Sequence, residues 1–574
     1  MTTFSPTAES IPVRHRYLLL ALIGLMLYVP FNGMRDMWYA DEPDIAEVTQ
    51  TMYTTGDWVS PRRVGTIWVD YPPMIYWTGL ASAHALGGLS EFALRLPNAL
   101  AAVVLVLLTC WAGSRWFDPE TGLWAGFTLL TFQQFAQQAV GYRPDMQFSL
   151  AITGGFLLWA AGTGDRPRWY LRVGAFLFFG LAMLAKGPLG LLLPGLVLTL
   201  WHGSRREWRR LLELAPMALV SLAVYLPWFY ACSRAMGSEN ILYELYAQNF
   251  ARFVGADRGH GKPMYYYLAN IWGDLVPWSL LLPFALWWIH RARLWRDRNV
   301  QLVLWWFGAF FVFLSMAATK RQLYLLPAYP AIALLLGIWL SAVLSTSESP
   351  SGTPSPRPVR IYGLLLAGFL AVVGGALLAA GTGILDVVDP SDMTPITAST
   401  IPALRPPVTA LGALLIAGGL WIGCAGLRRN TRGVLLRIGA THVVVYLVLL
   451  AWLLPAANPL RTTKPQGEWI RQYMGDATHM GLVYNRHDYG FRKMGSFGLY
   501  ARTGVELLES PSQVARFFEV YPDSVVLIQS DEVDWIFGDN RAQWESRIVR
   551  DLWVVGDRYV VVRGPDAAAL NPQS

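Results

Sequence analysis

The sequence predicts a polytopic α-helical membrane protein with a small soluble α/β domain at its C-terminal end. Three observations carry that reading. Hydrophobic residues make up 54% of the 574 residues and charged residues only 15%, against roughly 25% charged in soluble domains. The mean hydropathy is +0.34. The apolar residues also fall into long runs, about thirteen of which reach or approach the ~20 residues that cross a ~30 Å hydrocarbon core. These features exclude a disordered chain and argue against an ordinary soluble enzyme.

The runs lie near 17–33, 93–113, 122–140, 146–162, 170–185, 188–203, 212–232, 267–289, 300–318, 323–343, 361–384, 405–426 and 433–455. Several contain Gly and Pro, which membrane helices tolerate where neighbours satisfy the freed backbone groups. Lys186 with Gly187-Pro188 divides one long run into two. The segment Met74–Gly88 is short and led by aromatic residues, and it reads as an interfacial helix. No cleavable leader is expected, because the first run lacks a small-residue cleavage site.

The 46 basic and 39 acidic residues give a net charge of +7. The basic excess is not a nucleic-acid surface, because it is distributed by connection. Alternate connections carry Arg14/Arg16, Arg115, Arg166/Arg168/Arg172, the run 205–210, Arg291/Arg293/Arg296/Arg298, Arg357/Arg360 and Arg428/Arg429/Arg432. These are mostly short and Arg-rich, which places them and the N-terminus in the cytoplasm. The other set faces outward. It comprises two long loops at 34–92 and 233–266, three short turns, and the tail.

Residues 1–458 are therefore the expected membrane domain, and 459–574 an outward α/β domain. In the tail, short β-branched runs at 481–484, 524–528 and 559–562 alternate with helix-compatible stretches such as 512–520. Ser345–Pro358 reads as a linker. The three cysteines form no metal or redox motif.

Ionisable residues at membrane depth are the first place to look for function, and the unusual ones fall on the outward side. The first loop holds Asp41, Glu42, Arg62, Arg63, Asp70 and Tyr71. The next outward turn holds Tyr142-Arg143-Pro144-Asp145. Lys186 follows, then Arg258, His260 and Lys262, and finally Lys320, Arg321 and Tyr324. Carboxylates and cations at one depth suit a phosphate-bearing substrate whose leaving group needs neutralising, and a polar acceptor that needs a base or an anchor. Each residue also has a plainer reading. Asp41 and Asp145 sit where acids cap helices. Lys186 can snorkel, and Lys320, Arg321 and Tyr324 can anchor an interface.

The order Asp41-Glu42-Pro43, Ala46-Glu47, Gly56-Asp57-Trp58, Asp70-x-Pro72-Pro73 and Tyr76-Trp77 resembles the first outer loop of GT-C-fold glycosyltransferases. The branch is that of bacterial protein mannosyltransferases and lipid A aminoarabinose transferases. Arg143-x-Asp145, Lys186-Gly187 and Lys320-Arg321-x-x-Tyr324-x-Leu326-Pro327-x-Tyr329-Pro330 resemble its later motifs over about residues 15–340. The resemblance implies an inverting transferase of the bacterial inner membrane. It would take a sugar from a polyprenyl-phosphate carrier, such as undecaprenyl phosphate, and pass it to lipid A, another envelope glycolipid or a protein hydroxyl at the periplasmic face.

The resemblance maps the catalytic aspartate onto Asp41, with Asp145 as the second carboxylate. With a hydroxyl acceptor Asp41 would be the general base; with an ionised lipid A phosphate it would orient the sugar or its amine. Lys320, Arg321, Arg258 and Lys262 would hold the carrier phosphate, with Glu42, Arg62, Arg63, Tyr71, Tyr142, Arg143, Lys186 and Tyr324 as further substrate contacts. Relatives carry lysine at the position of Tyr71, a departure for which Arg62 or Arg63 would compensate. Some members imply a divalent ion, for which Asp70 and His260 are the candidate ligands; no other cofactor is signalled. A lipid-linked sugar flippase and a non-catalytic scaffold remain open as other classes.

Overall fold

The computed structural model describes residues 13–38, 42–63, 66–164, 167–236, 261–345, 354–383, 395–475, 479–483, 494–538, 544–554 and 557–565. Helix α1 (Val13–Tyr28) leads through turns into α2 (Glu42–Thr55), a two-stranded ribbon β1 (Arg62–Arg63) and β2 (Thr66–Ile67), and α3 (Met74–Ala85). A bundle follows: α4 (Glu91–Trp116), α5 (Pro119–Leu130), α6 (Gln133–Ala139), α7 (Asp145–Gly162), α8 (Trp169–Lys186), α9 (Leu189–Ser204) and α10 (Trp208–Met236). It continues with α11 (Tyr266–Asp274), α12 (Leu282–Arg291), α13 (Arg298–Met316), α14 (Tyr329–Leu344), α15 (Arg357–Gly381), α16 (Pro395–Leu427) and α17 (Thr431–Val448).

All thirteen apolar runs are helical, but thirteen uninterrupted spans are not. Eight helical segments among the described residues are long and apolar enough to cross a membrane. The first run, 17–33, is helical only to Tyr28, the end of the 16-residue α1. The run 122–140 breaks at Thr131–Phe132 into α5 and α6, because the polar Gln133 and Gln134 begin a second short helix there. The run 267–289 divides into α11 and α12 around Pro277 and Pro283, which remove backbone donors. Helix α7 begins on Asp145, and α9 is a shorter apolar helix of 16 residues.

The segment Gln322–Leu344, which ends in α14, is the axis of the bundle, with 94% of its apolar window buried; the α15 window is only 11% buried and faces outward. The molecule is thus a multi-pass membrane protein with a packed centre and a lipid-facing rim.

Beyond a π turn at Leu449–Leu453 the tail forms α18 (Lys464–Met474), β3 (His479–Val483), α19 (Met494–Ala501), β4 (Gly504–Leu508), α20 (Pro511–Val520), β5 (Val525–Gln529), β6 (Ile548–Val554) and β7 (Asp557–Arg563). The strand order is β4-β3-β5-β7-β6. β3 is parallel to β4 and β5, whereas β7 is antiparallel to β5 and β6. The sequence missed β4, whose Gly504 and Glu506 break the apolar alternation. Helix α19 packs on α2, so the tail sits over the first long connection. The three cysteines are free thiols.

Candidate active site

Arg95, in the second turn of α4 and fully buried, organises the first connection. Its guanidinium donates to the carbonyls of Asn32 at 2.8 Å, Asp36 at 2.9 Å and Arg35. It also donates to both oxygens of Glu42, at 3.1 and 3.0 Å. Arg35 adds a 2.8 Å ion pair to Glu42, and the Tyr142 backbone N–H donates to it at 2.8 Å. Burial pushes the Glu42 carboxyl up, but the Arg35 and Arg95 charges outweigh it and hold the group well below the usual carboxylate range. Glu42 is thereby committed to bracing residues 32–36 against the turn at 142.

Five residues along α2, Glu47 is the opposite case. Arg63 reaches it at 2.7 Å and pairs with Asp44 at 2.8 Å, its charge lying 5.0 Å above the Trp68 ring. Burial of Glu47 outweighs that single cation and raises its pKa. Arg62 is half-buried beside it on β1. Asp70 and Tyr71 are also half-buried, and Tyr71 packs against the cluster of Ile45, Val48, Ile75 and Tyr76.

The turn 141–145 joins this region to a second cluster. Asn98 of α4 donates to the carbonyls of Gly141 and Arg143, both at 2.7 Å. Tyr142 is fully buried; its hydroxyl donates to Ile75 O at 3.1 Å and shares a hydrogen bond with Thr49. Asp145 opens α7 without capping it, because its carboxylate is turned onto the ammonium of Lys186. Lys186 is the last residue of α8. Gly187, at φ 71, ends that helix in a conformation glycine tolerates, and Pro188 starts α9. Gly190 allows the hairpin to close, since a Cβ there would meet the Met183 nitrogen at 2.3 Å. The ammonium lies 4.3 Å from the centre of the Tyr324 ring, and the charges of Arg143 and Arg321 act on it. Three sequence-separated segments thus converge: 143–145, 186 and 321–324. The Tyr267 hydroxyl donates to Arg321 O at 3.1 Å and fixes the last of them.

Lys320 is placed differently from its neighbour. It is 3% exposed, and its ammonium donates to the carbonyls of Ala317 and of Lys262, the latter at 2.8 Å. Burial lowers its pKa. With Lys262 N–H donating to Ala318 O at 3.1 Å, it bolts the end of the second long connection to the 317–320 turn. Asp41, Arg258 and His260 lie outside the described residues. Among the described residues no group of three His, Cys, Asp or Glu side chains is placed to hold a metal ion. Of the two candidate ligands, Asp70 is half-buried ahead of α3 and His260 lies outside the described residues.

An apolar cavity of about 370 Å³ runs along the α8–α9 hairpin and α10, lined by Met183, Pro188, Leu191, Leu222, Tyr225 and Leu226 among others. Met183 and Pro188 flank Lys186 in sequence, so the cavity adjoins the charged cluster.

Relatives bear on what such a site serves. A family model described as dolichyl-phosphate-mannose-protein mannosyltransferase matches residues 70–230. An undecaprenyl phosphate-α-4-amino-4-deoxy-L-arabinose arabinosyl transferase of Pseudomonas paraeruginosa is 31% identical over 458 residues, covering 77% of this chain and 75% of its own.

The chain belongs to this arabinosyl transferase family.

It is accordingly a membrane glycosyltransferase of the GT-C fold that uses a lipid-linked sugar donor. A second family member, from Pseudomonas aeruginosa, is 32% identical over 63% of this chain and 64% of its own. The fold agrees with the crystal structure of ArnT from Cupriavidus metallidurans bound to undecaprenyl phosphate. Its TM-score is 0.76 at 21% identity, over 97% of this chain and 99% of that one.

Reading the transferase from sequence missed Arg35, Arg95 and Asn98. Arg35 lies in a turn, and Arg95 and Asn98 lie in the second turn of α4, where an isolated polar residue reads as ordinary interfacial chemistry. A buried arginine inside an apolar helix is the signal that marks Arg95.

Proposed function

We propose that the protein transfers 4-amino-4-deoxy-L-arabinose from undecaprenyl phosphate to a phosphate of lipid A, at the periplasmic face of the bacterial inner membrane. The N-terminus and the Arg-rich connections then face the cytoplasm, and the tail domain is periplasmic. The observation that supports this reading is Lys186, set against Tyr324 with the charges of Arg143 and Arg321 acting on it, and lying in sequence between Met183 and Pro188, which line the apolar cavity. A polyprenyl phosphate has the same division, with an anionic head on a hydrocarbon tail.

An oxygen of the acceptor phosphate attacks the anomeric carbon. The bond from that carbon to the carrier phosphate oxygen breaks with its electron pair, and the configuration inverts. The acceptor is already ionised, so no proton need leave it. The departing carrier phosphate gains negative charge, and Lys186, Arg143 and Arg321 neutralise it where little water screens them. Asp145 keeps Lys186 oriented before the donor arrives. Asp41, one residue before the braced Glu42, orients the aminosugar and its positive charge.

The test compares lipid A from a deletion strain with that from a complemented strain by mass spectrometry. A mass difference of one aminoarabinose, absent in the deletion and in the Asp41→Asn strain, supports the assignment. Unchanged lipid A with lost protein mannosylation supports the alternative favoured by the match at residues 70–230. Movement of intact donor across proteoliposomes without a new glycosidic bond replaces the transferase with a flippase.

A further inference from the structure

The tail domain is bonded to the chain that delivers Asp41. Asn458, just ahead of the domain, accepts the backbone N–H of Asp36 at 3.2 Å and the indole N–H of Trp38 at 2.9 Å on Oδ1. Its Nδ2 donates to Met34 O at 3.2 Å. The Arg461 guanidinium lies 5.6 Å from the centre of the Trp38 ring. Lys464, the first residue of α18, reaches Glu91 at 2.8 Å and Asp36 at 3.4 Å. The Tyr500 hydroxyl of α19 accepts the Met37 N–H at 2.8 Å and donates to Glu91 at 3.2 Å. Its ring, 9% exposed, is buried with Met37, Ile45, Ile75 and Tyr142 in the core of the first connection.

These contacts are not those of an appended module. Met34–Trp38 is extended or turning backbone with no helix or sheet of its own, so its polar groups need outside partners. The tail and its leading residue supply them at Met34, Asp36, Met37 and Trp38. On the far side, Glu42 is fixed by Arg95, Arg35 and the turn at 142. Residues 39–41, which lie outside the described residues and include Asp41, join these two anchored segments in sequence. The second segment belongs to the membrane bundle, and the first is shared: Arg95 of the bundle takes the Arg35 and Asp36 carbonyls, and the tail takes the groups at Met34, Asp36, Met37 and Trp38.

We infer that Tyr500 and Asn458, with Lys464, are positioning residues for transfer: they set the approach of residues 34–38 and through it the placement of Asp41. The inference rests on the assignment of Asp41 to the reacting centre. It gives the tail a part in turnover. A bundle truncated after 464 would lose part of its catalytic geometry even with every membrane helix in place.

The test uses the full chain in proteoliposomes with undecaprenyl-phosphate-aminoarabinose and lipid A, comparing Tyr500→Phe, Asn458→Ala, Lys464→Met and Asp41→Asn. Tyr500→Phe keeps the buried ring and removes both hydrogen bonds; Asn458→Ala acts outside the tail's core. In both, kcat is expected to fall roughly ten- to hundredfold, the cost of a small misplacement of a catalytic group. The KM for donor is expected to stay within about threefold, as for an interaction expressed in the transition state. Amide exchange in the peptide 34–38 should rise in the same variants.

Unchanged kcat in both variants, with Asp41→Asn inactive, overturns the positioning role alone. A loss of activity that follows only the folded fraction, with normal turnover per folded molecule and unchanged exchange at 34–38, overturns it as well. Full activity of Asp41→Asn overturns the assignment of Asp41 and this inference with it.

Discussion

Arg95 grips both oxygens of Glu42, at 3.1 and 3.0 Å, from 53 residues further along the chain. The same guanidinium takes three carbonyls of the segment preceding α2. Planar, bidentate donation is what arginine offers and lysine does not. Arg95→Met leaves a buried carboxylate short of its main partner and is expected to cost about 3–5 kcal/mol. Arg95→Lys should restore less than half of that. Thermal unfolding in detergent measures both, and a shift within error for Arg95→Met would count against the bracing role.

Glu42 and Glu47 predict opposite pH dependences on one helix. The Glu42 pKa is depressed in the folded protein, so its contribution is present above the unfolded value of about 4.3 and fades only as pH falls through the lower folded value. The Glu47 pKa is raised, so its contribution is complete below about 4.3 and is lost as pH rises through the folded value. Acidification from neutral pH through the raised value toward about 4.3 should therefore raise the melting temperature of the wild type relative to Glu47→Gln. Parallel profiles for the two proteins would contradict the assignment.

Lys186 and Asp145 should change carrier binding in opposite directions. Lys186→Met removes the central cation and should weaken undecaprenyl phosphate binding roughly tenfold or more, as expected for a charge-assisted hydrogen bond of about 1.5–3 kcal/mol. Asp145→Asn removes the anion that competes for Lys186, so it should tighten that binding while slowing turnover. Calorimetric titration with undecaprenyl phosphate reads both. A matching loss in the two variants would mean that the pair is only structural.

The apolar cavity gives a chain-length prediction. Leu226→Trp places bulk in it. The KM should rise several-fold for the full-length carrier and stay level for a donor with a truncated prenyl chain. Equal effects on the two donors would place the tail elsewhere.

Lys320 should behave as a bolt. Lys320→Met deletes the hydrogen bonds to Ala317 and Lys262. Amide exchange at Lys262 should rise in that variant. Exchange that stays at the wild-type level would remove the loop-anchoring role.

The sequence by itself determined the membrane class, the helical character of each apolar run and most strands of the tail. Those properties follow from local hydrophobicity and β-branching, which each segment carries alone. It also brought Arg143, Asp145, Lys186, Arg321 and Tyr324 onto one candidate list, because charges at membrane depth are costly wherever they occur. Tertiary structure decided which of them meet. Neighbours in sequence took different work: Lys320 turned to backbone carbonyls while Tyr324 lay under Lys186, and Glu42 closed on Arg95 while Glu47 took Arg63. Nothing in a pattern of residues says which partner a buried charge will find. That depends on how helices distant in sequence pack, and so does the contact of Tyr500 with Met37, 463 residues apart.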